Sequence, residues 1–576
     1  MILERLRFGR GARSVRPAAL RLAAATAVLV VAAPSAFAQI TPMTTRDNTH
    51  RQERAQRAQD QADRAEKKAA ESQGISLPGG SEIPPLEVTA AVDLAEVYTS
   101  NASGTTGGGG RSDFFTRPGL NLGLRANTAR WVVDADYFLT GEWHMRNHRL
   151  DRINNHLNML AQGEVLPETL FLDARAFATP AVLSRAGSLT ADQGSYSSTN
   201  TRDTYGFTFR PDLRHTFGGF AQGDLWVAQS GMYFVKPSGG IPTPLPTFFQ
   251  PAQNTNSTTL TAQLASGTDF TQFTWVGTAS ATDTFQETVW QKQRSAVANF
   301  QYALSRSFAL VGTGGYSTYK SSLPLIKDLD GPIGLGGFRY TLDQTFLLMI
   351  QGGTQNNFPT YIGSLQWQIG PSMAFLASAT DSVSTPQERV LGNLGNMGST
   401  VGGNFYNGST DFPFGGLGSP APYGLGGQGA TPLPGDMLSF DNQVSRYRSF
   451  QASLSYQVER TSFRLTGYNT IQNRLTQPIP GISPRTTVYG ARFDASRQMS
   501  REMTALASLE GSRAEEFGGN DRILRASVGL RYRLSMTSSV YTDATILNRE
   551  SEGLLGGFQN GSLTDLRVTV GIRKSF

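Results

Sequence analysis

From Pro85 to Phe576 apolar and polar side chains alternate with a period of two. Trp131, Val133, Ala135, Tyr137 and Leu139 share one face of such a segment, and Asp134 and Asp136 share the other. Leu566, Val568, Val570 and Ile572 alternate in the same way with Arg567, Thr569, Gly571 and Arg573. So do Phe450, Ala452, Leu454, Tyr456 and Val458 with Gln451, Ser453, Ser455, Gln457 and Glu459. A strand with one greasy and one strongly polar face suits a cylinder with lipid outside and water inside. A soluble sheet shows the same alternation but must cover its apolar face with a second layer, and no amphipathic helices remain to supply one. The connections alternate between tight turns, such as Glu459-Arg-Thr461, and long segments such as 179–201, 236–255 and 381–445. The expected fold is therefore all-β: a transmembrane antiparallel outer-membrane β-barrel of about 22 strands (18 to 22), over residues 86–576.

Aromatic placement fits these dimensions. Trp131 and Trp143 share a face twelve residues apart, roughly 40 Å along a strand and about 30 Å in height after tilt. Tyr98, Trp226, Tyr233, Trp275, Tyr316 and Tyr541 are expected to complete the aromatic girdles.

Residues 1–38 read as a secretory signal peptide: six arginines, an apolar run from Leu22 to Ala33, then Ser35-Ala-Phe-Ala38. Cleavage after Ala38 implies the cell outer membrane as destination. It also removes six arginines and one glutamate, so the net charge falls from +6 to +1. No basic stripe interleaved with aromatics follows, which argues against nucleic acid as a partner. The absence of cysteine excludes disulfides and thiolate chemistry.

Residues 39–85 are expected to form a short periplasmic polar helix and a linker. Ala55, Ala58, Ala62, Ala65 and Ala69 recur at helical spacing between Arg46 and Gln73. The helix is either a solvated rod held by charge pairs, the preferred reading, or a coiled coil that makes the protein an oligomer.

If alternation fixes the faces, the last strands turn Arg464, Arg492, Arg525, Arg531, Arg533, Arg567 and Arg573 into the lumen. The first strands turn Asp93, Asp134, Asp136 and Asp173 inward. A basic wall beside an acidic one would set a transverse field across a channel; alternatively, the charges pair across strands and stiffen the wall. The stretch 381–445 is expected as a long Gly/Pro-rich external loop. It either folds into the pore as a constriction with aromatics for sugars or, as the preferred reading, stays on the surface. No catalytic, cofactor or metal site is expected. His144, His148 and His156 cluster near an external connection but match no fixed metal spacing, and exposed loop histidines are the preferred account. Glu87-Val-Thr-Ala90 has the look of the coupling box of energy-coupled receptors, yet residues 39–85 are too few to hold the plug domain of such proteins.

Glu96-Val-Tyr-Thr-Ser-Asn101, Asp113-Phe-Phe-Thr-Arg-Pro-Gly119, Asp134-Ala-Asp-Tyr137 and Gly163-Glu-Val-Leu-Pro-Glu-Thr-Leu-Phe-Leu-Asp173 resemble a β-barrel porin family found with exopolysaccharide and exosortase gene clusters. Arg210-Pro-Asp-Leu-Arg-His-Thr-Phe217 and Leu530-Arg-Tyr-Arg-Leu534 fit as well. The resemblance covers 86–576 and implies an outer-membrane barrel serving polysaccharide export, with no catalytic residues. Phe576 resembles the terminal signal read by the barrel-assembly machinery, although Lys574 departs from that pattern. The expected partners are outer-membrane lipid, that machinery, and polysaccharide or small polar solutes. The expected function is a porin-like passive channel. The alternatives are a non-conducting structural or surface-anchoring barrel and, less favoured, a lipid-modifying barrel enzyme.

Overall fold

The computed structural model describes residues 86–576 apart from 397–442, parts of other connections (184–186, 192–199, 237–252, 477–482, 554–560) and a few turn positions. The signal segment and the polar helix at 46–73 lie outside the described residues. Twenty-two antiparallel strands form one sheet, and β22 pairs with β1. The first eight are β1 (Leu86–Thr99), β2 (Asp113–Asn127), β3 (Trp131–His144), β4 (Arg152–Leu166), β5 (Leu170–Val182), β6 (Thr201–Phe217), β7 (Ala221–Val235) and β8 (Thr255–Ser266). Next come β9 (Phe273–Gln286), β10 (Val289–Ala303), β11 (Phe308–Ser321), β12 (Gly331–Leu342), β13 (Phe346–Gln355), β14 (Phe358–Gln368) and β15 (Met373–Ser384). After a helix, α1 (Pro386–Asn396), follow β16 (Ser445–Val458), β17 (Thr461–Arg474), β18 (Arg485–Gln498) and β19 (Met503–Glu516). The last three are β20 (Gly519–Arg533), β21 (Ser538–Glu552) and β22 (Gly561–Ser575). Among the described residues no helix is long and apolar enough to cross a membrane.

Closure follows from edge chemistry: a sheet with no free edge leaves no unpaired row of backbone N–H and C=O groups. The first and last strands meet there, and the Phe576 N–H donates to the Ala90 carbonyl at 2.8 Å. Both termini of the barrel lie at one end, where the connections are tight, as between β10 and β11 (residues 304–307). Most connections at the far end are longer. Three of them, 287–288, 356–357 and 517–518, are two-residue hairpins, so the alternation of loop lengths is less regular than the sequence suggests.

Pairing register sets the faces. Leu566, Val570 and Ile572 stand exposed on the outside, while Asp565, Arg567 and Thr569 are buried on the inside. Trp131 and Trp143 both face outward at opposite ends of β3, and Tyr98, Tyr233, Trp275 and Tyr316 also face outward. Trp226 and Tyr541 do not join these girdles. Both point inward, where the indole lies beneath Arg210 at 5.9 Å and the phenol finds Asp93. A buried tyrosine hydroxyl needs a partner, and the inner face provides one.

One seam in the wall is weak. β14 and β15 share six paired positions, from Gly363↔Ala379 to Gln368↔Ala374, all toward the terminal end. Above them Arg446 bridges the gap. Its Nε donates to Asp381 at 2.8 Å, its Nη2 reaches the Pro359 carbonyl at 2.8 Å, and its guanidinium lies 4.5 Å over Phe358.

Candidate functional site

The register divides the interior into two unlike halves. From β17 through β22 and β1 to β7, inward positions carry charges of both signs. Arg492 Nε donates to Asp494 at 2.9 Å, Arg464 stands in register with the same Asp494, and Arg525 meets Glu510 at 3.1 Å. Arg531 and Arg533 face inward near the terminal end, where Arg533 donates to the Arg501 carbonyl. The Arg567 guanidinium lies 5.5 Å over Phe115, and Arg573 is in register with Asp93.

The aspartates of the first strands are similarly accompanied. Asp93 accepts from Tyr541, Asp134 lies 3.8 Å from Arg125, and Asp136 sits two residues further along the same inward face. Asp173 receives Arg175 at 2.8 Å and Gln162 at 2.6 Å, with Arg210 at 3.8 Å. Each wall therefore holds both signs, and opposite charges at these distances cancel much of one another's far field. Sequence reading passed over the partners Arg175, Arg210, Asp494 and Glu510. For Arg175 and Asp494 the available signal was a spacing of two from Asp173 and Arg492; Arg210 and Glu510 meet their partners only across strands.

The other half, β8 to β16, is almost uncharged. By register its single inward charge among the described residues is Arg339, which donates to Gln301. Hydroxyls and amides pair across strands in its place: Ser257 with Thr284, Thr259 with Thr282, Ser280 with Ser295, and Thr313 with Asn299. An apolar patch of Val297, Ile333, Leu335 and Ile362 interrupts them.

Two segments occupy the far mouth. The first is α1, which begins inside the stretch expected as a loop. Asp381–Ser384 belong to β15, and Thr385 opens the helix with a capping box. Its N–H donates to Glu388 Oε2 at 2.9 Å, and Glu388 N–H donates back to Thr385 Oγ1 at 3.3 Å. Pro386 takes the first helical position, where its missing N–H costs nothing. The preferred surface-loop reading of 381–445 therefore does not hold for residues 381–396. Thr-Pro-Gln-Glu was the visible signal of a helix start. The remainder, 397–442, lies outside the described residues.

This helix ties distant parts of the ring together. Gln286 on β9 donates to Thr385 at 3.2 Å. Arg389 lies 4.2 Å over Tyr447 on β16 and reaches Ser449 at 3.5 Å, and the helix body packs beside β6 and β7. Burial pushes the Glu388 carboxyl above its ordinary range and the Arg389 guanidinium down to about 10. The second segment, 187–191, leaves β5 and seats Leu189 among Ile523, Leu547 and Leu563 of β20–β22. Ala191 N–H donates to Asp565 at 2.9 Å, and Arg549 holds the Gly187 carbonyl.

The three histidines diverge. His144 is buried with its Nδ1 3.2 Å from Asp113, contrary to the exposed-loop reading. His148 is exposed beside Asp151, and His156 faces Thr179. Among the described residues no three His, Cys, Asp or Glu side chains group as metal ligands.

No protein-family model and no curated protein matches the sequence. Solved structures resemble it only loosely. The siderophore receptor PirA from Acinetobacter baumannii is 8% identical over 85% of this chain and 80% of its own, with a TM-score of 0.43. The ferripyoverdine receptor of the outer membrane of Pseudomonas aeruginosa is 11% identical over 86% and 72%, with a TM-score of 0.44. The FrpB iron transporter from Neisseria meningitidis is 9% identical over 85% and 83%, with a TM-score of 0.36.

Proposed function

We propose that this barrel spans the outer membrane and passes uncharged, hydroxyl-rich solutes along the β8–β16 side of its lumen. The closed wall with an apolar outside supports membrane insertion, since lipid tolerates only strands whose backbone is fully paired. The observation that carries the solute class is the run of nine neighbouring strands with a single inward charge. Serine, threonine and glutamine side chains exchange hydrogen bonds with sugar hydroxyls at little cost in desolvation, whereas a charged wall would hold counterions and water. Export of exopolysaccharide is the biological form of this reading suggested by the sequence resemblance.

A non-conducting structural barrel is the second reading, favoured by α1 and the 187–191 segment at the mouth. Planar-bilayer recording separates the two. The channel reading expects a small current in the intact protein, a larger one after deletion of 386–396, and reversible block by neutral oligosaccharides. Folded protein that carries no current with or without that helix would leave only the structural role.

A further inference from the structure

The outside of β10 and β11 carries a pairing that strand physics disfavours. Lys292 stands in register directly opposite Lys320, and both side chains are exposed on the outer face. Like charges opposite each other on neighbouring strands repel. Lys292 has Asp283 in register on its other side, but Asp283 is engaged by Arg294 at 2.6 Å. Lys320 has no ion-pair partner among the described residues. The rung thus keeps an excess of positive charge, with the Trp290 ring 5.6 Å from the Lys292 ammonium.

Its height is informative. Lys292 lies ten residues along β10 from outward-facing Tyr302, about 25 Å of vertical rise on a tilted strand. That is the thickness of the apolar band of a membrane barrel, so the rung sits at the far-side headgroup level. Next below it on the outer face stands Arg294, paired with Asp283, and beneath that ion pair the wall is nearly bare: Ala262, Gly277, Ala279, Ala296, Ala298 and Gly314 line a shallow apolar depression of ≈ 570 Å³. A Cβ added at Gly314 would meet nothing within 4 Å, and the same holds at Gly334 and Gly336 on the adjoining strand. Trp275 closes the depression on the terminal side, and Tyr316 stands above it.

We infer that this face binds a phosphorylated lipid of the outer leaflet, its phosphate held between Lys292 and Lys320 and its acyl chains laid in the depression beneath. The inference rests on the membrane-spanning reading but not on conduction. A phosphate between two ammonium groups turns repulsion into two charge-assisted hydrogen bonds, and close approach of acyl chains to bare backbone gains dispersion contacts that bulky side chains would prevent. A positive rung, then the Arg294–Asp283 ion pair, then an apolar trough matches an amphiphile better than a second copy of this chain, which would present the same cations.

The experiment is native mass spectrometry of the detergent-purified full chain, titrated with bis-phosphorylated lipid A, its dephosphorylated form, or inorganic phosphate. The expected result is retention of the phosphorylated lipid about tenfold above the dephosphorylated one. Lys292→Gln with Lys320→Gln should abolish that preference, and Lys292→Arg with Lys320→Arg should keep it. Gly314→Leu should weaken retention of both lipids. Shifted mobility of unheated protein on gels verifies that each variant is folded. Equal retention of the two lipids, full competition by inorganic phosphate, or burial of the face in a dimer would each overturn the assignment. A conducting barrel without lipid preference would refute this site alone, whereas protein that never enters a bilayer would remove the reading beneath it.

Discussion

The Tyr541 hydroxyl donates to Asp93 Oδ1 at 2.7 Å, stitching β21 to β1 across the strand between them. The ring can lie there because residue 571 is glycine: a Cβ at that position would come within 2.4 Å of the phenol carbon. The same device recurs on β17–β19, where Tyr468 passes over Gly490 to reach Glu510 at 3.4 Å. An aromatic on one strand, a glycine on the next and an acid on the third make a joint that backbone pairing alone does not provide.

Loss of the stitch should therefore loosen closure. Tyr541→Phe removes one charge-assisted hydrogen bond and is expected to cost about 1–3 kcal/mol. Gly571→Leu should cost more, because it displaces the whole ring. Urea titration of the lipid-embedded barrel, read by gel mobility without heating, measures both; a larger loss for the tyrosine variant would contradict the geometry.

At the seam between β14 and β15, Arg446 and Asp381 are each nearly inaccessible to solvent. Arg446→Ala should leave the buried carboxylate only Arg448, at 3.7 Å, and destabilise by about 3 kcal/mol. Exchange of amide hydrogens should rise first at 358–362 and 380–384. Adding Asp381→Ala should recover part of the loss.

The mouth helix should respond to acidity. Burial raises the Glu388 carboxyl above its unfolded value of 4.5, so the docked helix holds a proton that the undocked one releases. Docking is then firmest below about pH 4.5 and weakens as pH climbs through the raised value. Tyr319, Thr284 and Arg389 surround or adjoin this group. Glu388→Gln should flatten the dependence of current on pH. Thr385→Ala, which removes the cap at about 1 kcal/mol, should raise current at every pH.

Charge placed on the neutral wall should be felt directly. Ser295 hydrogen-bonds Ser280 at 2.7 Å in the middle of that wall. Ser295→Asp is expected to shift reversal potentials toward cations and to weaken block by neutral oligosaccharides. Unchanged selectivity would mean that ions travel elsewhere.

Much of this was legible beforehand because a period of two is a local property. Val568 and Arg567 declare opposite faces within two residues, and repeating that test gives the 22 strands. Pairing across strands is not local. Nothing near Tyr541 or Trp226 announced that the phenol would find Asp93 and the indole ring Arg210 inside. The helix at 386–396 was hidden by the glycine- and proline-rich sequence after it, although Thr385 and Glu388 marked its start. The uncharged half of the lumen also emerges only when nine strands are laid side by side.

The upper edge of β14 has a consequence before the cylinder ever forms. Residues 358–362 present an outer strand margin that the neighbouring strand leaves unmatched, and such margins invite annealing with foreign chains. Pro359 stands in that stretch and has no amide proton to offer. Until the ring closes, that one imino acid denies an incoming strand an amide donor at the margin where pairing is thinnest.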